Sequence, residues 1–190
     1  MTSIRHAALA GGLVALLALG GCGNNDVTKG AGAKKDTGSS SKAGATYPTQ
    51  AKTACEVLTQ EVAKSLLGGV SDESSPVRDT GNADVRVSTC VRTTPVADLH
   101  KAQSVSLLMR VAKSETGATS NEAVFGPGSL PKRGQDVSGY GEKAFWNPDL
   151  GQLNILNEGN WYVLASGPID PKKHTLTETE KLADAILDRL

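Results

Sequence analysis

The chain has little with which to hold a soft metal or run thiol chemistry. Three cysteines and three histidines are spread over 190 residues, and no Cys-x-x-Cys pair occurs among them. Net charge is missing too, since 20 Lys+Arg meet 20 Asp+Glu. That balance excludes a strongly basic nucleic-acid binder and a polyanionic chain. No apolar run reaches the roughly 20 residues of a membrane-spanning helix. Two Trp, two Phe and three Tyr permit a modest core for one domain of ordinary size. Gly-x-Ser-x-Gly, His-Glu-x-x-His and the phosphate-cradling Gly-x-x-x-x-Gly-Lys are all absent. Ser39-Ser40-Ser41-Lys42 fits the Ser-x-x-Lys pattern of penicillin-binding enzymes, but it lies among Gly and Ser with no apolar periodicity, a chance match. The expectation is a protein without catalysis, cofactor or metal.

What is present begins with an address. Arg5 and His6 precede an apolar run from Ala7 to Gly21, and Leu19-Gly20-Gly21-Cys22 closes it. A charged start, an apolar middle and a small-residue end describe a secretory signal over residues 1–21. Its end resembles a bacterial lipobox, in which the cysteine is diacylated and the peptide is cut just before it. Cys22 is therefore the expected lipidation site. Two acyl chains, at about 0.8 kcal/mol per buried CH2, anchor a protein far better than one. The expected location is the cell membrane, lipid-anchored on its extracytoplasmic face.

Residues 22–52 read as a lipidated tether. From Gly23 to Lys52 the only large apolar groups are Val27 and Tyr47, so ordering this stretch would bury too little surface to offset its entropy. A flexible coil of about thirty residues spans roughly 30 Å. With Cys22 acylated, Cys55 and Cys90 remain as an even pair in an oxidising compartment, and a disulfide between them is expected.

Residues 53–190 read as an α+β domain: an antiparallel sheet of about five strands with an N-terminal and a C-terminal helix packed on it. Thr59 caps a helix whose Val62, Ala63, Leu66 and Leu67 form an apolar stripe ending at Gly68-Gly69. Val85, Val87, Thr89 and Val91 alternate with Arg86, Ser88, Cys90 and Arg92, as in a half-buried strand. This parity puts Cys90 on the charged face, so the bridge to Cys55 is expected to round an edge or cross a bulge. Val105, Leu107, Met109 and Val111 make the next strand, and 119–125 a short helix before the Gly126-Pro127-Gly128 break. Strands near 144–146, 152–156 and 162–165 follow, with turns at 147–151 and 157–160. Thr175 with Glu178 and Thr177 with Glu180 form overlapping capping boxes for the last helix, whose Leu182, Ala183, Ile186, Leu187 and Leu190 make one apolar face.

Ala54-Cys55-Glu56-Val57-Leu58-Thr59, a helix ending in Leu67-Gly68, the second cysteine at Cys90 and Gly139-Tyr140-Gly141-Glu142-Lys143-Ala144-Phe145-Trp146 carry a resemblance. Together with the lipobox and tether, they resemble a family of small actinobacterial lipoproteins whose domain has no known function. The likeness runs along most of residues 53–190. One departure is Arg92, where the family pattern has an aromatic. The resemblance implies an extracytoplasmic α+β domain and carries over no catalytic residue.

Two functions fit this reading. One is a lipid-anchored interaction or accessory module that serves another envelope protein. The alternative is binding or carriage of a small apolar or lipidic ligand between sheet and helices. Trp146 and Trp161 either stack across facing strands in the core or line a groove, which Tyr140 would join; Gly139-Tyr140-Gly141 otherwise marks a bend. The partners implied are the membrane, through the anchor, and an envelope protein or small ligand, with no nucleic acid. A hydrolase would need two acids such as Glu142 and Asp149 to converge. His100 and His174 read as solvated loop residues.

Overall fold

The computed structural model describes Tyr47 and residues 51–70, 78–125 and 134–190. The leader, Cys22, the Ser39–Lys42 match, most of the tether and the Gly126–Gly128 break lie outside the described residues. The described residues all belong to one compact unit, residues 42–190.

Four α-helices and seven strands are formed by the described residues. The helices are α1 (Ala54–Val57), α2 (Gln60–Leu67), α3 (Glu115–Val124) and α4 (Leu176–Ile186). The strands are β1 (Arg78–Gly81), β2 (Val85–Thr93), β3 (Gln103–Ala112), β4 (Gln135–Val137), β5 (Lys143–Asn147), β6 (Gln152–Asn157) and β7 (Asn160–Pro168). They make one antiparallel sheet in the order β1-β2-β3-β7-β6-β5-β4. The α+β class is as expected; the strand number is two higher. The added strands are the edges, Arg-Asp-Thr-Gly and Gln-Asp-Val, which are too short and polar to show an alternating pattern.

One face of the sheet carries the main core. Register sets Cys90 opposite Leu107, Leu107 opposite Leu164, Leu164 opposite Leu153, and Leu153 opposite Trp146, a single row across five strands. Beside it runs the row Met109, Tyr162, Ile155, Ala144. Val57, Leu58, Val62, Leu182 and Ile186 cover these rows from α1, α2 and α4. Burying each such aliphatic side chain is worth about 1.5–3 kcal/mol. The opposite face holds a smaller cluster of Phe125, Phe145 and Leu156. There the two phenyl rings meet edge to face, with centroids 5.3 Å apart.

The N-terminal helix is two helices. Thr53 caps α1 in a full capping box with Glu56, whose carboxyl the Thr53 backbone N–H holds below its ordinary value. Leu58 ends α1, and Thr59 then caps α2 as expected by accepting from Val62 N–H at 3.3 Å. Gly68, left-handed at φ 74°, ends α2. Helix α3 starts earlier than 119, because Ser114 caps it by accepting from Gly117 N–H at 3.1 Å. Thr175 caps α4, accepting from Glu178 N–H at 3.3 Å, whereas Thr177 lies inside the helix and the Glu178 carboxylate pairs with Lys181 at 2.7 Å.

The Cys55–Cys90 disulfide is present, with Cα atoms 5.0 Å apart. It neither rounds an edge nor crosses a bulge. The face of β2 that bears Arg86, Ser88 and Cys90 is the face beneath α1, and the bridge spans helix to strand directly. Charge misled the assignment because these polar groups have work in the seam. The Ser88 hydroxyl accepts from the Ala54 N–H at 2.9 Å, and Arg86 donates to the Ala51 carbonyl. Arg86 also forks onto Asp79 at 2.6 and 3.0 Å, holding that carboxyl below its ordinary range. Arg92 shares this face, half-buried, and its buried Nε has no hydrogen-bond partner.

Candidate functional site: a hollow at the β4–β5 connection

The chain between β4 and β5 bends sharply at Gly139 (φ 92°) and Gly141 (φ 58°) and folds back over the end of β6, where Glu142 N–H donates to the Leu156 carbonyl at 2.8 Å. Here the bend reading of Gly139-Tyr140-Gly141 holds. The Tyr140 ring packs against the main core, and its hydroxyl donates to Asp184 of α4 at 3.1 Å. Burial, reinforced by the neighbouring Asp184 carboxylate, pushes that phenol up to about 12. Tyr140 therefore fastens the loop to α4.

Beside this loop lies a half-open hollow of about 480 Å³. Its lining includes Phe125, Phe145 and Tyr140, with Asp136, Glu142 and Lys143 among the polar residues. Such a volume lies within the range of small-molecule sites, but Phe125 and Phe145 are almost fully buried and the Tyr140 ring packs on the main core, so the hollow presents a mixed polar and apolar surface rather than an aromatic wall.

The three residues expected to share a groove do not converge. Trp146 is buried in the main core, while Trp161 is half-buried on the other face, beside Phe125, Phe145 and Leu156. Strand parity is the reason. Trp146 stands opposite Leu153 and Trp161 opposite Leu156, and an odd separation along β6 puts the two partners on opposite faces. The indoles cannot stack across the sheet. Trp161 Nε1 instead donates to Asn154 at 3.1 Å. Of the three, Tyr140 alone lines the hollow.

Glu142 and Asp149 do not meet either. They flank the two ends of β5, which at ~3.3 Å per residue places them about 17 Å apart. Among the described residues no group of three or more His, Cys, Asp and Glu is placed to hold a metal ion. No helix among them is long and apolar enough to cross a membrane.

His100 is exposed, as expected. His174 is not a solvated loop residue. It is half-buried, with Nδ1 3.0 Å from the Gly151 carbonyl oxygen and Nε2 2.7 Å from that of Pro168. Its sequence setting, after Lys172 and Lys173, hides this. The only advance signal would have been two distant glycines, Gly151 and Gly167, between which the ring fits.

The fold and site define a disulfide-stapled α+β domain whose sheet is covered by α1, α2 and α4 on one face and partly by α3, through Phe125, on the other. Comparison with protein-family models, with curated proteins and with solved structures found no match to this chain.

Proposed function

We propose that this chain is a lipoprotein anchored through Cys22, whose domain works as an extracytoplasmic interaction or accessory module without catalysis. The observation that carries the reading is the Cys55–Cys90 bridge. It belongs to an oxidising compartment and accounts for two of three cysteines. The third is Cys22, directly after Leu19-Gly20-Gly21 at the end of an apolar run. The envelope side of the cell membrane and a protein partner there follow from this reading. The test is mass spectrometry of the exported protein, with fractionation of a Cys22→Ala variant. A diacylated N-terminal cysteine, and loss of the variant from the membrane, are expected. An uncleaved, unmodified N-terminus refutes the anchor. Crosslinking in intact cells then tests the module, and failure to trap any protein removes its support.

A second reading, binding or carriage of a small apolar or lipidic ligand, draws its support from the hollow at the β4–β5 connection, whose volume is that of a small-molecule site. Extracting the purified protein and analysing co-purified lipids distinguishes the two. A stoichiometric guest that is lost on substituting Phe145→Ala favours carriage.

A further inference from the structure

The His174 ring sits in a slot built for it. A Cβ added at Gly151 would stand 2.7 Å from the His174 Cβ and 2.8 Å from its Cγ, and one added at Gly167 would stand 2.8 Å from its Cδ2. Both glycines also have positive φ, 60° and 143°. Within the slot both ring nitrogens face backbone carbonyl oxygens, Gly151 at 3.0 Å and Pro168 at 2.7 Å. A carbonyl only accepts. A neutral imidazole has one N–H, and its other nitrogen is itself an acceptor. Only the imidazolium ring, with two N–H groups, can donate to both oxygens at once.

These two contacts join separate parts of the chain. Gly151 belongs to the β5–β6 turn, and Pro168 ends β7. The next residue, Ile169, donates its N–H to the Ala102 carbonyl at 3.2 Å, which brings in the β2–β3 connection. Leu150 and Ile169, beside the two accepting residues, are 51% and 48% exposed. The ring thus sets the spacing of two apolar tips at one end of the sheet. The charged groups on the elements around it are few. Asp149 lies on the turn, and Lys172 and Lys173 are exposed beside the ring in sequence. Asp170 accepts from the Lys172 N–H at 3.2 Å, Glu178 and Lys181 pair on α4, where Glu180 also lies and Asp184 accepts from Tyr140, and Asp98 pairs with Lys101 on the β2–β3 connection, which also carries the exposed His100. Among the described residues no ion pair reaches His174.

We propose that His174 is a protonation-dependent latch, in which the imidazolium ring clamps the β5–β6 turn to the end of β7, and loss of one ring proton to water releases one of the two carbonyls. The test is NMR of the full chain, labelled with 15N, recorded over a series from acid to alkaline pH within which the chain stays folded. At the acid end both His174 ring nitrogens are expected to carry protons. Toward the alkaline end one proton is lost, and the amides of Gln152 and Ile169, which share peptide units with the two carbonyls, shift with the same midpoint. The His174→Gln variant should lose both amide transitions, while Asp149→Asn should retain them. A ring that carries a single N–H across the whole range overturns the proposal. So do amide transitions that persist in His174→Gln. If that variant does not fold, the ring nitrogens of the unaltered chain decide alone.

Discussion

Removing the disulfide is the sharpest test of how this domain is held together. The bridge closes a loop across a sequence separation of 35. By the chain-entropy estimate, opening it frees about 4 kcal/mol of denatured-state entropy. That is a large share of the 5–15 kcal/mol typical of a folded domain. For residues 53–190 it corresponds to a fall in Tm of roughly 14 °C. Alanine is the right replacement, because Cys90 is 1% exposed in the helix–sheet seam and a serine hydroxyl would add an uncompensated polar group there. The assay compares Cys55→Ala/Cys90→Ala with the oxidised parent by thermal and urea unfolding, followed by circular dichroism. A second signature should accompany the loss. The uncrosslinked denatured chain is more expanded, so the urea m-value should rise. If the variant melts within about 3 °C of the parent at an unchanged m-value, the bridge is incidental, and packing of α1 on β2 holds the seam without it.

Leu182→Ala, at a fully buried site where α4 meets the sheet, should cost about 3 kcal/mol in chemical denaturation, against less than ~0.5 kcal/mol for Leu150→Ala at the exposed turn. Glu158 holds φ 51° in the two-residue β6–β7 turn, so Glu158→Asn should stabilise the domain by about 0.5–1 kcal/mol, read as a rise in urea midpoint. Tyr140, pushed up to about 12, should be a late-ionising phenol in an alkaline absorbance titration, and Tyr140→Phe should remove that step. The folded chain keeps this proton where the unfolded chain, at about 10, has lost it. The Tyr140 contribution to stability is therefore complete below about pH 10 and lost as pH rises toward about 12, a decline that the variant should lack.

Local signals were legible where backbone chemistry speaks for itself. Thr59, Gly68 and Thr175 mark helix ends because caps are short-range, and the β6–β7 turn follows from Glu158-Gly159. The alternation in β2 was legible too, but which face it buried was not. Arg86 and Ser88 look like solvent-facing residues until Ala54, at the start of α1, supplies an N–H and Ala51, ahead of it, a carbonyl for them to bind. Edge strands β1 and β4 carry no pattern because an edge need bury neither face. Strand pairing decided the candidate site. The position of Trp146 in the core and of Trp161 on the reverse face depends on which β6 residue each stands opposite. Tyr140 reached the hollow because two glycines bend its loop, and that much was visible. The His174 slot was not, since its walls come from residues 16 or more positions apart in sequence.

The position of the bridge has a mechanical consequence. Any pull on the segment ahead of residue 51 first meets the bond between the Ala51 carbonyl and Arg86 of β2, and four residues later a covalent bond into the same strand. Load passes at once to a strand hydrogen-bonded on both sides, to β1 and to β3, before α2 or α4 can be peeled away.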